Sequence, residues 1–138
     1  MTLNDFIERN EGCVLYPYQD HLGYWTIGIG TCIDKEKGGI TKEEAIWLFR
    51  NRLDKMIVDL ERTKPVVKKL SETRRIVLFD MVYQLGVSGL MGFRGMWAAL
   101  EAGHYTLAAI EMLDSLWAQQ TPVRAKRNAR IMQTGEME

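Results

Sequence analysis

The chain has 138 residues, 46% hydrophobic, 26% charged and 9% aromatic, the composition of a single globular domain and not of a disordered, collagen-like or coiled-coil chain. Its 18 basic and 18 acidic side chains cancel, so no overall field draws it to nucleic acid or to an anionic membrane. Cys13 and Cys32 are too few for a disulfide framework and lack metal-ligand spacing; free thiols are expected.

Residues 1–12 read MTLNDFIERNEG, with no basic n-region and no apolar h-region. No apolar run approaches the roughly 20 residues that span a bilayer. The expectation is a soluble cytoplasmic product without stable membrane association. Thr2 and Asp5 form a capping-box pattern, Leu3, Phe6 and Ile7 have helical spacing, and Gly12 is a natural stop. From 13 to 30 the period becomes two. Val14, Tyr16 and Tyr18 alternate, Asp20–Gly23 makes a turn, and the strand from Tyr24 puts Trp25, Ile27 and Ile29 on one face. The other face, Tyr24, Thr26, Gly28 and Gly30, is nearly bare, as where something approaches the backbone closely.

After a charged loop over 35–39, Thr41 caps a long helix to about Arg62, with Ala45, Phe49, Leu53, Met56 and Leu60 recurring at helical spacing. A short helix begins at Pro65. Ser71 caps another that ends at Leu85, with Ile76, Phe79 and Tyr83 along one side. Gly86, Gly89, Gly92 and Gly95 break the next stretch into short pieces. Further helices fit 96–102, 106–116 and 122–132, the last opening on Pro122. The fold class is α+β and mainly helical. One domain over 1–138 is expected, with a small hairpin lobe over 13–60 that includes the connecting helix. Residues 1–12 and 61–138 would form the helical lobe, with the active cleft between the two.

Two histidines, His21 and His104, without partners at ligand spacing argue against metal hydrolysis or a nucleophile–histidine triad. No phosphate-binding glycine loop is present. What remains are two carboxylates and a hydroxyl within 16 residues. Glu11 lies in the last turn of a helix, whose negative dipole end disfavours an anion and so suits a proton donor. Asp20 opens the hairpin turn, and Thr26 lies on the bare strand face. Each has a bland reading: a surface glutamate, a turn aspartate, a β-forming threonine. Together they suit hydrolysis of a glycosidic bond, one carboxyl protonating the leaving oxygen while the other and the hydroxyl hold a water.

Glu11-Gly12, Tyr18-Gln19-Asp20, the run 23–30 (GYWTIGIG) and the run 40–45 (ITKEEA) resemble the phage-type lysozymes, most nearly the T-even group of glycoside hydrolase family 24. The likeness continues through Arg74-Arg75, the run 81–86 (MVYQLG), Gly92-Phe93, Trp117, the run 120–127 (QTPVRAKR), Arg130 and Thr134-Gly135, nearly the whole chain in order. The resemblance implies a lysozyme-like fold and an endolysin that cuts the β-1,4 bond between N-acetylmuramic acid and N-acetylglucosamine in peptidoglycan with inversion. It makes Glu11 the acid and Asp20 and Thr26 the holders of water. The carboxyls would stand roughly 6.5–9.5 Å apart. It puts Gly30, Gln84, Phe93 and Arg124 on the substrate side, Arg124 near Glu11. No cofactor or metal is implied. It also implies a monomer with no nucleic-acid partner, made in the host cytoplasm and reaching the periplasmic wall through a holin.

Several features depart from that pattern. The stretch between Thr31 and Ile40 is short, which trims the small lobe, and Thr31 and Arg52 stand where the family has a buried histidine–aspartate pair. His21 and Leu22 replace more polar turn residues. The alternatives are a lytic transglycosylase, an inactive wall-binding or regulatory homologue, and a DNA-binding helical protein resting on Arg124, Lys126, Arg127 and Arg130. The first needs no water-holding pair, the second no intact acid set, and the third is opposed by zero net charge.

Overall fold

A computed structural model describes residues 1–137. The chain divides into two compact units, Met1–Phe49 and Arg50–Glu138. In the first, α1 (Leu3–Glu11) starts as the sequence predicts. The Thr2 hydroxyl accepts the Asp5 N–H at 3.1 Å, and the Asp5 carboxylate accepts the Thr2 N–H at 3.0 Å. The Thr2 hydroxyl, donating to the same carboxylate at 2.7 Å, and then the Thr2 N–H hold the Asp5 carboxyl below its ordinary range. Gly12, at φ 75°, ends the helix and returns its N–H to the Glu8 carbonyl.

Strands β1 (Val14–Gln19), β2 (Trp25–Gly28) and β3 (Thr31–Cys32) form an antiparallel sheet in that order. The third strand was not expected: two residues are too few to show a period. Simple alternation along β1 also fails. Val14 pairs with Gly28 and Tyr18 with Thr26, so β1 carries extra residues and bulges between them. Burial falls on the face read as bare. Thr26 is 5% exposed, whereas Trp25 and Ile29 lie open. The charged loop is a 3₁₀ turn, Lys35–Lys37, capped by Asp34.

Helix α2 (Lys42–Thr63) begins with a second capping box, Thr41 with Glu44. Of its periodic apolar residues only Leu60 is buried. The short helix at Pro65 is a 3₁₀ turn, Pro65–Lys69. Ser71 caps α3 (Glu72–Met91), which breaks at Gly86, φ 75° and ψ 165°, where the sequence ends it. Its buried stripe is Val77, Leu78, Met81 and Val82; Ile76 and Tyr83 are 42% exposed. The apolar side expected from spacing is therefore displaced by one step around the helix.

Then follow α4 (Arg94–Glu101), α5 (Tyr105–Leu113), α6 (Leu116–Gln120) and α7 (Pro122–Thr134). The sequence merges α5 with the start of α6. Ser115 separates them, its hydroxyl accepting the Ala118 N–H at 3.1 Å. The core of this unit gathers Leu60, Val67, Leu78, Met81, Leu90, Met96, Met112 and Met132. Trp97 spans it and donates its indole N–H to the Leu90 carbonyl at 2.9 Å. Arg74 finishes α7 by donating to the carbonyls of Met132 and Gln133, and it stacks on Tyr105 with its guanidinium carbon 3.7 Å from the ring centre.

Candidate active site

Glu11 is the final residue of α1 and is exposed. Its carboxylate rests against Gly30. A β-carbon added there would stand 2.6 Å from Oε2 and 2.9 Å from Cδ, and φ is +68°. Any larger residue would strike the acid and strain the backbone. Gly30, expected as a substrate contact, is thus the seat of the candidate proton donor.

Asp20 is half-buried at the turn. Its Oδ1 accepts the N–H groups of Leu22 and Tyr24, each at 2.9 Å, an arrangement that fixes the carboxylate plane. Among the described residues Oδ2 receives no donor, so it can accept from an outside molecule. The Thr26 hydroxyl donates to the Tyr24 carbonyl at 3.0 Å. That spends its proton and leaves its lone pairs as acceptors. The same Tyr24 carbonyl accepts the Asp20 N–H at 2.9 Å. One backbone residue therefore ties both acceptors together. Sequence reasoning overlooked Tyr24, because its role is carried by the main chain.

The remaining expected site residues belong to the helical unit. The Gln84 carbonyl oxygen accepts the Trp117 indole N–H at 2.8 Å, and Phe93 meets Trp117 edge to face, centroids 6.0 Å apart. Phe93 and Trp117 line a groove of about 510 Å³ with Leu85, Gly92, Glu111 and Gln120. Arg124 is engaged by Asp80: Nε to Oδ2 at 2.9 Å and Nη2 to Oδ1 at 2.7 Å, with Asn128 adding a bond to Oδ2 at 2.8 Å. Burial raises the Asp80 carboxyl, but the Arg124 and Asn128 hydrogen bonds outweigh it and hold it below its ordinary range. The partnership raises Arg124. Asp80 escaped the sequence reading, although an aspartate inside the apolar run 76–83 was the available signal.

Residues 8–130 match the family described as phage lysozyme. The pre-baseplate central spike protein Gp5 of Enterobacteria phage T4 is 34% identical over 164 aligned positions, covering the whole of this chain but only 28% of Gp5. Probable T4-type lysozyme 1 of Dictyostelium discoideum is 29% identical, covering 99% of this chain and 96% of that protein. Probable T4-type lysozyme 2 of the same organism is 28% identical with the same coverage.

Proposed function

Because the chain belongs to the phage lysozyme family of peptidoglycan-degrading glycoside hydrolases, we propose that it cleaves the β-1,4 bond between N-acetylmuramic acid and N-acetylglucosamine with inversion, to lyse a bacterial host. The observation that carries this reading is a carboxylate seated on Gly30 in the same small unit that presents two free acceptors, Asp20 Oδ2 and Thr26 Oγ1.

On this reading Glu11 gives its proton to the leaving glycosidic oxygen as the bond to the muramic-acid anomeric carbon breaks. A water held by Thr26 and Asp20 attacks that carbon from the opposite face, and its proton passes to Asp20. The product is a reducing muramic-acid end. Gln84, Phe93 and Arg124 contact the substrate. Asp80 occupies Nε and Nη2 of Arg124, which leaves Nη1 to donate to the glycan.

The test is digestion of purified peptidoglycan with mass and NMR analysis of the products. Reducing muramic-acid ends released first as the α-anomer support the proposal; anhydro ends or a first-formed β-anomer refute it. The same reading has the protein made in the host cytoplasm, working as a monomer without nucleic acid, and reaching the wall through a holin lesion. Expression without a holin should leave cells intact, and co-expression should lyse them.

A further inference from the structure

The sheet that carries Thr26 is short of means to hold its register. β3 contributes two residues, pairing Thr26 with Cys32 and Ile27 with Thr31. A slip of one residue would turn Thr26 to the opposite face. Beyond that ladder the next segment grips β2 with side chain and main chain. The Ile33 N–H donates to the Trp25 carbonyl at 2.8 Å, and Asp34 Oδ2 accepts the Trp25 N–H at 3.0 Å. Both backbone groups of the residue preceding Thr26 are therefore held from one place.

Asp34 also gathers its own loop. Oδ1 accepts the Glu36 N–H at 2.9 Å, and its carbonyl accepts the N–H groups of Lys37 and Gly39, each at 3.0 Å. Lys37 then reaches back over the Tyr24 ring, 4.7 Å from its centre, and Tyr24 is the residue that links Asp20 to Thr26. The two bonds to main-chain N–H groups hold the Asp34 carboxyl below its ordinary range, as an acceptor shared by two donors requires.

We propose that Asp34 is a positioning residue for the reaction: by fastening the short segment 33–39 to Trp25 it keeps β2 and β3 in the register that presents Thr26 to the water and Gly30 to Glu11. Its part is to act through the Trp25 main chain and not on the reacting atoms. The proposal rests on the catalytic roles of Glu11, Thr26 and Asp20 in the proposed function.

Asp34→Ala and Asp34→Asn test it. Asparagine can accept one of the two N–H groups but turns its NH₂ toward the other, so it should rescue in part. On soluble peptidoglycan fragments kcat should fall about ten- to a hundred-fold in Asp34→Ala, with Asp34→Asn between it and the parent and KM within about two-fold. Amide exchange should quicken at Trp25 and Glu36 while Leu78 and Met81 in the helical core stay protected. Loss of Trp25 protection with kcat within about two-fold of the parent would make Asp34 merely structural and overturn the proposal. Unchanged protection at Trp25 would overturn the clamp itself, whatever the activity. A parent protein inert toward peptidoglycan would sink the functional reading instead, and the exchange data would still decide the clamp.

Discussion

Replacing Gly30 by alanine asks whether the acid depends on its seat. The new β-carbon would start 2.6 Å from Oε2 of Glu11, whereas ordinary contact begins at 3.4 Å. The carboxylate must therefore retreat by close to 1 Å, a displacement that costs on the order of a hundred-fold in rate where geometry controls the chemistry. Alanine at φ +68° adds about 1–2 kcal/mol of backbone strain. Gly103→Ala separates the two effects. Gly103 has φ +74° and nothing within 4 Å, so it carries the strain without touching Glu11. Initial rates of wall clearing should show a kcat collapse for Gly30→Ala alone, with helical ellipticity at the assay temperature retained in both variants. A folded Gly30→Ala protein with kcat within about two-fold of the parent would refute the seat.

On the proposed mechanism Glu11→Gln removes the donated proton and should abolish clearing with Tm unchanged, as judged by muropeptide release and thermal melting. Asp80→Asn should destabilise by about 1 kcal/mol, a figure reduced because Asp80 and Arg124 are each more than a third exposed. The Asp80 carboxyl is lowered in the folded state, so its contribution is full above the unfolded value of about 3.9 and is lost as pH falls through the folded one. The Tm gap between parent and Asp80→Asn should therefore hold at neutral pH and close below about pH 4. Gln84→Leu leaves the buried Trp117 N–H without its partner, which costs about 1–3 kcal/mol by chemical denaturation. Cys13 and Cys32 are both free, and intact mass after alkylation without reductant should show two additions.

What was legible in the sequence was mostly local. Thr2 with Asp5 and Thr41 with Glu44 sit three residues apart and report their own helix starts, and Gly12 and Gly86 mark their breaks by backbone freedom. Glu11, Asp20 and Thr26 could be singled out because their residue types and spacing limit the chemistry. Asp80 could not be paired with Arg124, because 44 residues separate them. The role of Gly30 depends on where a side chain 19 positions earlier comes to rest. Strand β3 shows no period in two residues. The face of α3 was misplaced because its buried stripe, through Val77, Leu78, Met81 and Val82, is set by the helices packed on it and not by spacing alone.

Among the described residues the buried apolar side chains all lie between Leu60 and Met132, whereas the Met1–Phe49 unit buries only Thr26. Hydrophobic burial sets the resistance of a segment to opening, so the unit that carries Glu11, Asp20 and Thr26 is the cheaper one to open. Heat should silence the enzyme before its helical ellipticity falls, and a protease should nick the hairpin unit while the helical unit survives as a stable fragment. Shelf life for such an enzyme would then be governed by its smallest sheet, and added bonds there would lengthen it more than any improvement of the large core.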